Sequence, residues 1–193
     1  MEEIEVKFLN INPEEIQEKL KNIGAKKTGE FFLRWSAFDY PDLRLDKEGA
    51  WIRLRDEGNG KATLTYKKRL GIKSRDGNIN DSGMEEIESY VDDFDKIALI
   101  LKKIGFIEKH YAEKKRIRWE KDDIEFDIDR CPELEHYLEI ETTTWDKIDL
   151  AINLLELNPD ERKIFSVNQI YAMKGIKVRE LKRITFNEGL IKK

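Results

Sequence analysis

Residues 114–129 read KKRIRWEKDDIEFDID. Lys114, Arg116 and Arg118 alternate with Lys115, Ile117 and Trp119, and further on Glu125, Asp127 and Asp129 alternate with Ile124, Phe126 and Ile128. Successive side chains of a β-strand point to opposite faces, so each half of this stretch reads as a strand that carries one charged row. The rows have opposite sign, and antiparallel pairing would set them across from one another.

The same pattern recurs along the chain. Ile4, Val6 and Phe8 alternate with Glu3, Glu5 and Lys7, and Ile52 and Leu54 with Trp51, Arg53 and Arg55. In ATLTYKK, Thr63, Thr65 and Lys67 share one face while Ala62, Leu64 and Tyr66 share the other. Residues 84–91 set Glu86, Glu88 and Tyr90 on one side, and YLEIE sets Glu139 and Glu141 opposite Leu138 and Ile140. Two architectures fit these rows. One is an antiparallel sheet packed on a single side, with its charged face in solvent. The other is a closed barrel with the charged face inside and helices over the apolar outside; closure would also remove the sheet edges. Enclosed charges need partners or a ligand. An anion rich in phosphate, bound with a metal, would satisfy both signs, because basic groups hold phosphate oxygens and carboxylates hold the metal.

Helix signals separate the strands. Asn12 can cap a helix that has Pro13 in its first turn, an apolar stripe of Ile16, Leu20 and Ile23, and Gly24 at its end. A second helix, capped by Asp93 or Asp92, contains Ile97, Leu99, Ile100, Leu101 and Ile104 and stops at Gly105. A third is expected over Asp146 to Leu154, and a shorter one near Arg162 to Met173. KLKNIGAKKTG around the first helix resembles ILKKIGFIEKH around the second. The repetition suggests a main domain over residues 1–175 made of two pseudo-repeated halves, 1–91 and 92–175, followed by a basic extension over 176–193. Residues 70–83 read as a surface loop without the pattern of a phosphate-binding loop, in which Lys73 and Arg75 are solvent charges or, alternatively, reach a nucleotide.

Composition bounds the function. The 193 residues contain 36 Lys+Arg against 40 Asp+Glu, a formal charge of -4. Nine Phe, six Tyr and four Trp exclude a chain too polar to fold. Cys131 is alone, which excludes an intrachain disulfide and a thiolate metal cluster. MEEIEVKF is charged from its second residue, unlike a secretory signal, and no apolar run is long enough to cross a bilayer. A cytoplasmic protein with no membrane partner is therefore expected. The negative balance argues against general nucleic-acid binding, and a homodimer is compatible with the sequence.

Six short segments, in this order, carry a resemblance. They are Glu3-x-Glu5-x-Lys7, Arg53-x-Arg55 (reached through LRLDKEGAWIRLR), TLTYK ending at Lys67, Glu86-x-Glu88, Lys114-x-Arg116 and Glu139-x-Glu141. Over residues 1–173 the chain resembles the CYTH superfamily, the triphosphate tunnel metalloenzymes that include class IV adenylyl cyclases and thiamine triphosphatases. The resemblance implies an α+β fold: a closed eight-stranded antiparallel β-barrel with helices packed outside, a small-molecule triphosphate as substrate, and Mg²⁺ or Mn²⁺. It implies Glu3, Glu5, Glu139 and Glu141 as metal ligands. Lys7, Arg53, Arg55, Lys67, Lys114, Arg116 and Arg118 follow as phosphate ligands. Glu86, Glu88, Asp127 and Asp129, with Lys7, make the catalytic set. The expected activity is a metal-dependent phosphohydrolase that releases orthophosphate from inorganic, nucleoside or thiamine triphosphate. The alternatives are a class IV adenylyl cyclase, making cyclic AMP and pyrophosphate from ATP, and a non-catalytic polyphosphate or nucleotide sensor. Two departures bear on the subfamily. Leu33-Arg34-Trp35 keeps only the Arg of an ERN-type triplet, and Ile170-Tyr171 keeps only the Tyr of a Ser-Tyr pair.

Overall fold

The computed structural model describes residues 4–69 and 84–193. Glu3 and the expected loop with Lys73 and Arg75 lie outside the described residues. In chain order the elements are β1 (Ile4–Leu9), α1 (Pro13–Asn22), β2 (Lys26–Asp39), α2 (Arg44–Lys47), β3 (Ala50–Asp56), β4 (Ala62–Arg69) and β5 (Met84–Val91). There follow α3 (Phe94–Lys103), β6 (Ile107–Lys121), β7 (Ile124–Arg130), β8 (Tyr137–Thr142), α4 (Trp145–Leu154), α5 (Val167–Met173), β9 (Leu181–Thr185) and β10 (Gly189–Lys192). The chain divides into two compact units, Met1–Phe32 with Lys114–Leu181, and Leu33–Glu113 with Lys182–Lys193.

In the first unit β1, β8, β7 and β6 pair antiparallel in that order. Val6, Phe8, Trp119, Phe126, Ile128, Leu138 and Ile140 form its apolar face. Against them pack Ile16 and Leu20 of α1 and Ile148, Ala151 and Ile152 of α4. Each Val, Leu, Ile or Phe among them, once fully buried, contributes about 1.5–3 kcal/mol. The Asn12 side chain accepts from the backbone N–H groups of Glu14 and Glu15 at 3.0 and 3.1 Å, and so starts α1 where expected. On the free side of β1, Lys7 exchanges two backbone hydrogen bonds with Lys163, at 2.8 and 2.9 Å.

In the second unit β3 pairs antiparallel with β2 and β4, and β4 with β5. Phe94, Ala98 and Leu101 of α3 pack on Phe38, Leu54, Ala62 and Tyr111. Asp93 rather than Asp92 caps α3, accepting from Lys96 N–H at 2.9 Å. The C-terminal segment, expected as a basic extension, carries β9 and β10; β9 runs parallel to β6, with Tyr111 opposite Arg183.

The expectation of a closed eight-stranded barrel is corrected. Among the described residues there are ten strands, and the path β1-β8-β7-β6-β2-β3-β4-β5 has two ends. Alternation reports that a sheet has two chemically different faces and says nothing about whether its edges meet. Nor do the charges require enclosure, since neighbouring strands neutralise one another in register: Arg116 lies across from Asp129, and Arg118 from Asp127. The α+β class, the antiparallel pairing and the helices on the apolar face all hold.

Candidate functional site

The first unit gathers most of the charged candidates on one sheet face. Registration places Lys7 across from Glu139 and Glu139 across from Asp127, while Arg118 faces Asp127 from the other side. Asp129 is fully buried and accepts from Lys114 at 2.6 Å and from two nitrogens of Arg116 at 2.7 Å each. Burial alone would raise its pKa, but Lys114 and Arg116 hold it at about 2. Arg116 also reaches Glu139 at 3.1 Å and contacts Asp127. Burial disfavours its charge, yet Asp129, Asp127 and Glu139 together outweigh that and raise its pKa well above the usual value. Arg118 grips Asp127 with two nitrogens, at 2.7 and 2.8 Å, and reaches Glu125 at 2.9 Å. Lys7, only 2% exposed, contacts Glu5 and lies 3.3 Å from Glu139. Burial pushes its pKa down, with Glu139 pulling the other way.

A second feature of this face suits a metal. Glu5, Glu141 and Glu125 stand directly across from one another on β1, β8 and β7. Like charges in that relation repel unless a cation joins them. Glu5, Glu139 and Glu141 offer carboxylate oxygens that all lie within 4.8 Å of one another. Among the described residues of the face on β1, β6, β7 and β8, seven acids (Glu5, Glu120, Glu125, Asp127, Asp129, Glu139, Glu141) stand against four bases (Lys7, Lys114, Arg116, Arg118), so acid is in excess. Hard oxygen donors on an acid-rich face fit a divalent cation such as Mg²⁺ or Mn²⁺.

The second unit holds the remaining candidates. Lys67 donates to Glu86 at 2.6 Å, Thr65 donates to Glu88 at 2.6 Å, and Arg55 donates to Glu57 at 2.5 Å. Arg53 has a weaker hold, 3.8 Å from Glu88, and its buried Nε has no hydrogen-bond partner. Burial and then the neighbouring Arg55 lower its pKa. A partly buried guanidinium with an unmet donor is suited to receive an anion. Trp35 is in register with Arg55, and His110, buried, lies 4.7 Å from the Trp35 ring between centroids.

The structure thus groups Glu5, Lys7, Lys114, Arg116, Arg118, Asp127, Asp129, Glu139 and Glu141 in one unit and Arg53, Arg55, Lys67, Glu86 and Glu88 in the other. Sequence reasoning passed over Thr65 as a functional group, although it precedes Lys67 by two and shares its face. It also passed over Glu57, whose link to Arg55 follows the same period of two. Trp119 is a core residue. Cys131 is buried beside the Tyr137 hydroxyl at 3.7 Å, and burial pushes its thiol pKa up.

Comparison with known proteins agrees with this geometry. A family model described as the CYTH domain matches residues 1–166. A Methanocaldococcus jannaschii protein named "putative adenylate cyclase" is 32% identical over 146 residues, covering 76% of this chain and 79% of the relative. A solved structure from Pyrococcus horikoshii superposes with a TM-score of 0.62 at 24% identity, covering 87% of this chain and 98% of that one. Another, a Hippeastrum protein named "putative adenylyl cyclase" and described as revealing a dominant triphosphatase activity, gives a TM-score of 0.59 at 14% identity, covering 90% of this chain and 95% of that one. With the family model spanning most of the chain, and the acidic and basic rows in the places described, the chain belongs to the CYTH domain family.

Proposed function

We propose that the chain is a metal-dependent phosphohydrolase that cleaves orthophosphate from the end of a triphosphate. The observation that carries this reading is the adjacency, on one sheet face, of the Glu5, Glu139 and Glu141 oxygens to the buried cations Lys7 and Arg116, both within 3.3 Å of Glu139. A divalent cation held by these carboxylates would supply charge neutralisation to the phosphate oxygens. Lys7, Lys114, Arg116 and Arg118 would bind the remaining oxygens, the arginines through planar forks. Asp127 and Asp129 serve as positioning groups: each is clamped by an arginine, and Asp129, with a pKa of about 2, is a poor proton acceptor near neutrality. In the second unit Arg53, Arg55 and Lys67 form a further set of phosphate ligands, with Glu86 and Glu88 orienting Lys67 and Arg53. Water adds to the terminal phosphorus, the bond to the bridging oxygen breaks, and the diphosphate leaves. Such chemistry needs positioning and charge neutralisation more than covalent help.

The relative named as an adenylate cyclase favours a second reading, in which the ribose 3′-hydroxyl of ATP attacks the α-phosphorus and pyrophosphate leaves. Phosphorus NMR separates the two. Purified protein is incubated with inorganic triphosphate, thiamine triphosphate or ATP, each with Mg²⁺ or Mn²⁺. Orthophosphate with a diphosphate product is expected. Cyclic AMP with pyrophosphate would replace the hydrolase by the cyclase, and saturable binding without any product would leave a sensor.

A further inference from the structure

The residues before α5 carry a cation that the phosphohydrolase reading does not use. The sequence places Lys163 in a helix expected near Arg162 to Met173, but α5 begins only at Val167. Lys163 instead forms an antiparallel bridge with Lys7, exchanging backbone hydrogen bonds of 2.8 and 2.9 Å on the free side of β1. Two residues that exchange both bonds send their side chains to the same face, with Cβ atoms about 5 Å apart. Lys7 contacts Glu5 and Glu139, so its side chain belongs to the charged face, and Lys163 rises beside it within the same unit.

The bridge is anchored on both sides. Arg162 donates to Asp149 of α4 at 3.0 Å, and its guanidinium lies 5.5 Å from the centre of the Trp145 ring. Ser166 and Gln169 cap α5 reciprocally, and the Tyr171 hydroxyl donates to the Pro132 carbonyl at 2.8 Å. The other cations of the face are already engaged: Lys7 by Glu5 and Glu139, Lys114 by Asp129, Arg116 by Asp129 and Glu139, Arg118 by Asp127. Lys163 is half-buried, and among the described residues its ammonium has no ion-pair or hydrogen-bond partner. A partly buried cation set directly beside another cation is unfavourable until an anion joins it.

Resting on the phosphohydrolase reading, we infer that Lys163 is a further phosphate ligand of the same site, meeting the triphosphate beside Lys7. It brings a charge not committed to a carboxylate, next to the Glu5, Glu139 and Glu141 oxygens that suit a cation. A lysine is a point charge with three donors on a flexible stem, so it can follow a phosphate group that the clamped arginines of β6 cannot reach.

The test labels the wild-type protein with acetic anhydride and reads each lysine by mass spectrometry. Saturating inorganic triphosphate with Mn²⁺ should slow acetylation of Lys163, sulfate at equal ionic strength should not, and Lys21, exposed on α1, should react alike in all samples. In steady-state assays Lys163→Gln should raise KM for inorganic triphosphate about tenfold or more, and Lys163→Arg, which keeps the charge, should recover most of that loss. Unprotected Lys163 under saturating triphosphate, or a wild-type KM in Lys163→Gln, would overturn the assignment while leaving the hydrolase reading in place. Saturable protection without release of orthophosphate would overturn the hydrolase reading and keep Lys163 as a ligand.

Discussion

Replacing Asp129 by Asn removes one charge from the centre of the first unit's ion-pair network, and the structure sets the size of the effect. The carboxylate is wholly buried and accepts three hydrogen bonds of 2.6–2.7 Å from Lys114 and Arg116. Its pKa falls from 3.8 to about 2. At about 1.36 kcal/mol per pH unit, this drop corresponds to roughly 2.4 kcal/mol of pH-dependent stability. The folded pKa lies below the unfolded one. The contribution is therefore fully present above about pH 4 and is lost as pH falls through about 2. Lys114 and Arg116 would also be left with one acid fewer, although Arg116 keeps Asp127 and Glu139. Together these give a destabilisation of about 3 kcal/mol near neutrality, or a fall in Tm of about 6–12 °C for a chain of this length. Urea unfolding of wild type and Asp129→Asn between pH 6 and pH 2 reads it directly. The gap between the two stability curves should be widest at pH 6 and should shrink by about 2 kcal/mol towards pH 2. Parallel curves over that range would show that Asp129 is not the paired carboxylate described, and with it the neutralisation of the charged face would fall.

Glu141→Gln should abolish the rise in Tm on adding Mn²⁺ and the metal-dependent turnover, while the metal-free Tm stays within a few degrees of wild type; an undiminished metal response, seen by scanning calorimetry, would remove Glu141 from the ligand set. Arg53→Gln should weaken triphosphate binding about tenfold or more at little cost in stability, because the buried Nε it deletes has no partner in the folded protein; unchanged binding by titration calorimetry would show that Arg53 does not receive the anion. Asp39 is fully buried, accepts from the backbone of Tyr40, Leu45 and Asp46 at 2.7–3.1 Å, and pairs with Lys109 at 3.2 Å. Asp39→Ala should therefore cost about 2–4 kcal/mol in urea unfolding, with product ratios unaltered at permissive temperature.

What could be read from the sequence was whatever has a short period. The facing rows of β6 and β7 follow from alternation alone, and so does the placing of Lys7, Glu139 and Asp127 on one face. The caps of α1 and α3 follow from one Asn and one Asp. β2 was not legible as a single strand of 14 residues, because KKTGEFFLRWSAFD interrupts its alternation with Gly29 and the Phe31-Phe32 pair. α2, four residues long, lacks a full turn of pattern and is held instead by Asp39, five residues before it. Barrel closure and the parallel pairing of β9 depend on which edges meet, and no local pattern encodes that. At the site, parity put the charged side chains on one face but could not say which carboxylates are gripped by arginines of β6.

That last distinction divides the charged face of the first unit by chemistry. Asp127 and Asp129 are gripped from β6 by Arg116, Arg118 and Lys114, so their negative charge is spent within the protein and the basic side chains are fixed in direction. Glu141 lies one strand further on and Glu5 two, opposed to each other, with Glu125 across from Glu141; Glu5 and Glu139 both contact Lys7, and Glu139 reaches Arg116. On the phosphohydrolase reading, the two groups of acids do different work. The aspartates, held from β6, fix the direction of the basic side chains that would meet a polyanion. The glutamates, with oxygens of Glu5, Glu139 and Glu141 within 4.8 Å of one another, offer the hard donors a divalent cation takes. Without the aspartates the basic side chains would lack buried partners whenever substrate was absent.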